Sequence, residues 1–108
     1  MNNYEHTIIV KQDKFENQSK QIITKYENLI NINSGKVLKT EDWGLRSLSR
    51  IIKNNKRGLY FHIKFEGTGE TIEELEKAEN IDEMLIRHLT VKVKKHNLEE
   101  DFFEKKDL

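Results

Sequence analysis

A chain of 108 residues has the length of one domain, with enough surface to bury for one core. It has no Cys, and so no disulfide framework, thiolate zinc site or cysteine nucleophile; no apolar run approaches the ~20 residues of a membrane span. Its 19 Lys plus Arg balance 19 Asp plus Glu, so attraction for a polyanion has to come from local segregation of charge, not from the net value.

The first element is "YEHTIIV", which alternates as a strand. Tyr4, His6, Ile8 and Val10 share the better core face, which puts His6 on the buried side as an ordinary core histidine. From 13 to 33 the period becomes helical. Phe15, Ile22, Ile23, Tyr26, Leu29 and Ile30 form one stripe, and Gly35 in "NSGK" suits the left-handed position that ends a helix.

"KVLKTEDWGLRSLSRII" reads as a long second strand whose parity slips. Val37 and Trp43 are odd, Leu48 and Ile52 even, and Gly44 lies between. A bulge near Gly44 would restore a single apolar face. "KNNKRG" is a hairpin loop, after which Gly58 opens the third strand. There Leu59, Phe61, Ile63 and Phe65 alternate with Tyr60, His62, Lys64 and Glu66.

"ETIEELEKAENI" is a second helix, with Thr71 and Glu74 at the spacing of a capping box and Ile72, Leu75, Ala78 and the stem of Glu79 inward. The fourth strand, "MLIRHLTVKV", is expected to face Leu85, Leu89, Val91 and Val93 to the core. The charged residues 96–108 are expected to form a mobile tail on a domain spanning 1–95. The order βαββαβ predicts an α+β, ferredoxin-like sandwich: a four-stranded antiparallel sheet, both helices on one face, the second and fourth strands at the edges.

The neutral total hides segregation. Residues 43–65 hold Arg46, Arg50, Lys53, Lys56, Arg57 and Lys64 with no acid. Residues 84–98 hold Arg87, Lys92, Lys94 and Lys95, again with no acid. The second helix and its exit carry Glu70, Glu73, Glu74, Glu76, Glu79, Asp82 and Glu83 around one Lys77. Two cationic edges on one sheet point to contact with a polyanion, since each neutralised phosphate releases counterions whatever the distant charge. The alternative is a solvated surface of mixed sign. The candidate RNA contacts are Arg46, Arg50, Lys53, Lys56, Arg57, Arg87, His88 and Lys92. Trp43 and Leu45, on an edge strand with unpaired backbone groups, are the candidates for contact with a partner protein. Tyr60 and His62 share the polar face of the third strand, where aromatics stack on bases in RNA-binding sheets; an ordinary exposed face is the competing reading.

Catalytic chemistry finds little support. Gly67 and Gly69 precede a helix, but Glu70, Glu73 and Glu74 would repel a phosphate there. The four His are dispersed, without a paired ligand spacing. Glu41 and Asp42 are strand neighbours pointing to opposite faces, a poor acid/base pair. No cofactor is implied.

"YEHTIIV", "GKVLKTEDWGLRSLSRIIKNNKRGLYF" and "LIRHLTVKV", in this order and spacing over residues 1–95, resemble the family of the sixth protein of the bacterial small ribosomal subunit. The resemblance implies the ferredoxin-like fold and a structural, non-enzymatic role in the cytoplasm. It further implies binding to the central domain of 16S ribosomal RNA together with the eighteenth small-subunit protein, by a chain that is monomeric when free. After "GLRSL" the family continues with a small residue, Tyr, Pro and Ile; here Ser49, Arg50, Ile51 and Ile52 stand there, adding a cation. Ser47 also replaces the family's usual charged or amide residue. The alternatives on the same fold are a small phosphatase, which needs a backbone-lined phosphate loop carrying an Arg, and a ligand-sensing domain, which normally accompanies a catalytic one.

Overall fold

The computed structural model describes residues 1–11, 16–52 and 54–96, with the side chains of the first helix from residue 21 onward. Phe15, Lys53 and residues 97–108 of the expected tail lie outside the described residues. The elements are β1 (Asn2–Lys11), α1 (Glu16–Ile32), β2 (Lys36–Ile52), β3 (Asn55–Gly67), α2 (Gly69–Asn80) and β4 (Leu85–Val93). The sheet is antiparallel in the order β2-β3-β1-β4, so β2 and β4 are the edges, as expected. Ile8 and Val10 of β1 and Phe61, Ile63 and Phe65 of β3 pack with Ile23, Tyr26 and Ile30 of α1 and Leu75 of α2. Both helices therefore cover one side of the sheet, and the other side is open. Each large apolar side chain buried there contributes about 1.5–3 kcal/mol.

Helix ends differ in detail from the sequence reading. Gly35 is not the left-handed residue: Ser34 is, with φ 66°. The amide of Gly35 donates to the carbonyl of Ile30 (2.9 Å), which closes α1 in a Schellman arrangement. Gly35 is required for a different reason, because a Cβ there would stand 2.7 Å from Ile30 Cγ2 and its carbonyl. α2 begins earlier than expected, with Thr68 as its cap. Thr68 Oγ1 accepts from the Thr71 amide, and Thr71 Oγ1 accepts from the Thr68 amide. Thr71 is thus the third helical residue, and its hydroxyl also donates to the carbonyl of Asn33 at 2.6 Å.

The hairpin is tighter than a six-residue loop. Ile52 pairs with Asn55, and Asn54 takes φ 64°, so β3 starts at Asn55 instead of Gly58. The last residue of β1 to pair with β3 is Lys11, opposite Gly58. Beyond that row β2 and β3 continue as an arm in which Ser47 opposes Arg57 and Ile52 opposes Asn55, with an irregularity of three extra β2 residues between the two pairs.

Register decides the faces. On β2 the pairing shifts by one residue at Leu38 and again at Trp43: Asp42 opposes Phe61, and Gly44 opposes Tyr60. The bulge expected at Gly44 is present, with Gly44 at φ 76°. It does not place Trp43 on the apolar face with Val37. The shift at Leu38 has already exchanged the parity, and Trp43 lies on the open side. A shift of one residue in β4, at Ile86, sets Leu85 opposite Val10 but Arg87 opposite Ile9. Leu85 and Ile86 are buried, whereas Leu89 and Val91 pair with Thr7 and Glu5 on the open side and are 60% and 48% exposed. The expectation that Leu89, Val91 and Val93 face the core is therefore corrected by one extra residue.

Asp82, in the turn after α2, ties that turn to α1. It accepts from the Tyr26 hydroxyl (2.5 Å) and the Met84 amide (2.9 Å) and pairs with Lys25 (3.6 Å). Burial raises its proton affinity, but Tyr26, Met84 and Lys25 outweigh burial and hold the carboxyl below its ordinary value. Burial first, then Asp82, pushes the Tyr26 phenol far up.

Two unfolding experiments test these readings. Gly44→Ala meets no atom within 4 Å, so any loss comes from the backbone at positive φ, about 1–2 kcal/mol in urea unfolding. Unchanged stability would mean that the left-handed residue is dispensable. Tyr26→Phe is expected to cost about 1.5–3 kcal/mol at neutral pH, the range for a hydrogen bond to a charged group. Because the native Asp82 carboxyl is depressed, its contribution is present above its unfolded value near 3.9 and fades as pH falls through the native one. The deficit of the variant should shrink correspondingly in acid.

Candidate nucleic-acid interface

The arm beyond Gly58 carries Arg46 on β2, opposite Gly58, and Lys56 and Arg57 on β3, with exposed Arg50 farther out. Arg87, exposed on β4, pairs with Ile9, two residues from the Lys11–Gly58 row. Arg46 and Arg87 therefore occupy the same end and the same open side of the sheet. They are separated by the width of the sheet, about 14 Å at ~4.8 Å per strand. Lys11 joins this end, a cation the sequence reading passed over because it lies in neither acid-free run.

Two predicted residues are not part of this group. Lys92 pairs with Tyr4, five residues and about 17 Å along β4 from Arg87, and on the helix-facing side. His88 also points to the helices, because the Ile86 shift reverses β4. It is half-buried, with Nε2 at 3.3 Å from Asn80 Oδ1 and Nδ1 at 3.6 Å from Glu79 Oε1. The acids of α2 and its exit sit on the helix side of the sheet. Glu79 is buried, Asp82 ties the turn, and Glu73 and Glu74 share Lys77 at 3.6 and 3.4 Å. The helical layer thus separates most exposed carboxylates from the cationic end.

The open side has its own chemistry. The Trp43 indole stacks on His62 (ring centroids 5.3 Å apart, 12° between planes) and on Tyr60 (6.2 Å, 20°). Its Nε1–H donates to Glu41 Oε1 at 2.9 Å. His62 lies beneath, bonded through Nδ1 to Thr7 Oγ1 (2.8 Å) and through Nε2 to Glu5 Oε1 (3.2 Å). It is buried, so the expected base-stacking role is not open to it; Tyr60 is half-buried against Trp43. Glu41 and Lys64 form a buried pair at 3.5 Å. Trp43 and Leu45 do not make one patch. Leu45 pairs with Leu59 on the helix-facing side, while Trp43 stacks on the open side. The exposed apolar surface on the open side belongs instead to Leu89 and Val91, which no sequence pattern could place without the Ile86 shift.

Among the described residues no cluster of His, Cys, Asp or Glu is arranged to hold a metal, and no helix is long and apolar enough to cross a membrane. As expected, Glu41 and Asp42 point to opposite faces. Asp42 Oδ1 accepts from the Gly44 amide at the bulge.

Comparison with known proteins bears on what this surface is for. Residues 3–92 match the family model described as ribosomal protein S6. The chain is 53% identical over 107 residues to small ribosomal subunit protein bS6 of Pelagibacter ubique, covering 99% of this chain and 88% of that one. It is 39% identical over 92 residues to the protein of the same name from Rickettsia felis, covering 85% and 76%. The crystal structure of 30S ribosomal protein S6 from Thermotoga maritima superposes with a TM-score of 0.81 at 26% identity, over 85% of this chain and 87% of that one.

The burial of His62 makes a pH prediction. Burial lowers its proton affinity, and Lys64 adds to this; the Glu5 and Glu41 carboxylates oppose it without prevailing. The unfolded imidazole takes a proton near pH 6.5 and the native one only at lower pH, so stability is lost as pH falls below about 6.5. His62→Gln should flatten the pH dependence of thermal unfolding between pH 6.5 and 5 by up to about 1.4 kcal/mol per unit. Parallel profiles for parent and variant would contradict a neutral, buried imidazole.

Proposed function

Because the chain belongs to the ribosomal protein S6 family, structural and non-enzymatic proteins of the small ribosomal subunit, we propose that it binds the central domain of 16S ribosomal RNA through the cationic end of its sheet. The carrying observation is the gathering of Arg46, Arg57 and Arg87 at one end, with Arg50 and Lys56 on the protruding arm, apart from the acids of α2. Such an array contacts phosphates without a positive total, since counterion release is local. Lys53, which lies outside the described residues, is proposed to join it on the strength of its charge and its place in the sequence beside Ile52.

The eighteenth small-subunit protein is the proposed companion. A chain of zero net charge exerts little long-range pull on RNA, so a basic partner supplies the steering. The support for its seat is the open side of the sheet, where Leu89 and Val91 are exposed beside Arg87 and Trp43 caps the neighbouring strands. Leu45, on the other face, is left to a contact along the β2 edge. The free chain is proposed to be a cytoplasmic monomer that joins the subunit with this partner.

Filter binding to a central-domain RNA fragment, with the chain alone and with the partner, tests the reading. Arg87→Ala should weaken binding and reduce the magnitude of the salt slope by about one unit, while Lys92→Ala should have a smaller effect. Equal effects, or none from Arg87, would overturn the assignment of the cationic end. Tight, specific binding by the chain alone would remove the need for the partner.

A further inference from the structure

The open side of the sheet carries an apolar strip along β4. Leu89 and Val91 are exposed there, and half-buried Val93 follows in the same row. Exposed Arg87 stands at the other end of the strip, next to the row of Lys11. The strands turn no exposed acid to this side among the described residues. Glu5 pairs with His62, Glu41 is buried against Lys64, and Glu66 is half-buried. The strip is thus apolar along its length and cationic at one end.

The chain leaves β4 toward this side. Asn3 shares a side of β1 with Glu5 and Thr7, the two residues that hold His62, and its Nδ2 donates to the Lys94 carbonyl at 3.0 Å. Two residues later the chain has crossed β1, and His96 Nε2 donates to the Phe65 carbonyl of β3 at 3.0 Å. The other ring nitrogen of His96, Nδ1, is buried and has no partner among the described residues. Buried polar atoms are as a rule paired, so this one is left for the residues that follow to meet.

Those residues, 97–108, suit the strip in composition. Phe102 and Phe103 are adjacent aromatics in a charged segment, with Glu99, Glu100 and Asp101 before them and Glu104 after. The reach is sufficient. Phe65 lies two strands from Leu89 and three residues along, about 14 Å at ~4.8 Å per strand and ~3.3 Å per residue. Phe102 is six residues past His96, about 20 Å of extended chain.

We infer that residues 97–108 fold back over the open side, with Phe102 and Phe103 on Leu89 and Val91 and their flanking acids against Arg87 and Lys11. The occupant of the strip in the free chain is the chain itself. The tether at His96 makes the contact intramolecular, so its effective concentration is high and modest contacts suffice. The docking does not depend on the proposed RNA or partner protein; any protein that takes the same side has to displace the segment first.

NMR spectra of the whole chain, without RNA or partner, test this, so the outcome is separate from that of filter binding. The ring protons of Phe102 and Phe103 should show cross-relaxation with the methyl groups of Leu89 and Val91. In Phe102→Ser/Phe103→Ser, which leaves every residue of the sheet in place, those methyl resonances should lose their upfield ring-current shift. In the reciprocal Leu89→Ser/Val91→Ser, at two exposed positions, the amides of 101–104 should exchange several-fold faster than in the parent after correction for intrinsic rates. Methyl shifts identical in the parent and the Phe variant, or amides of 101–104 exchanging at intrinsic rates in the parent, would overturn the docking. Contacts that fade on dilution would overturn it as well, and would assign the strip to a second copy of the chain.

Discussion

The two-residue period of a β-strand is the constraint on which the rest of this structure depends, because single extra residues break it at three places, apart from the longer irregularity between Ser47 and Ile52. At Leu38, Trp43 and Ile86 one strand carries a residue for which its neighbour has no counterpart. Each extra residue moves every later side chain to the other face. Between the first two, the alternation on β2 is displaced, and Trp43 stacks on His62 instead of entering the core. After the third, His88 and Thr90 turn toward α2 while Leu89 and Val91 turn to the open side. The aromatic cap, the exposed apolar strip and the histidine–glutamate cluster are all consequences of these three positions.

The sheet also separates two electrostatic environments. Helix-facing polar groups are enclosed and have to be satisfied by one another, as Tyr26 with Asp82 and His6 with Glu79. On the open side Glu41 meets Lys64 and Glu5 meets His62 beneath and beside Trp43. Buried pairs of this kind add little net stability, because desolvation offsets their attraction; losing one partner is what costs. Their effect is to specify register. Glu41 and Lys64 meet only if the Trp43 shift is where it is, and His6 meets Thr90 only after the shift at Ile86.

The family's structural role fits a neutral domain that concentrates its cations at one end. Arg50 is an exposed cation of the arm, adding charge where the array is already positive. The solved structure of the relative from Thermotoga maritima shares the architecture at only 26% identity. The fold thus tolerates wide change, and the polar clusters built on it can differ from one member to another.

Much was legible in the residues alone. The order of six elements, the antiparallel sheet with β2 and β4 at its edges, the inward stripe of α1 and the alternation of 59–66 follow from periodicity, a signal carried by neighbours in sequence. So does the segregation of charge, and so does a bulge at Gly44, because glycine in a slipping pattern marks one. What the tertiary structure alone decided is where the parity changes without a glycine to announce it. Leu38 and Ile86 look like ordinary strand residues, and only pairing with β3 and β1 reveals them as extra. For that reason Trp43 and Leu45, neighbours in any sequence reading, lie on opposite faces, and Leu89 and Val91, whose alternation with Leu85 points to the core, are exposed. His88, beside Arg87 in the chain, faces Glu79, a partner that no strand periodicity indicates. A sequence records the period of each strand; the face each residue occupies is a property of two strands together.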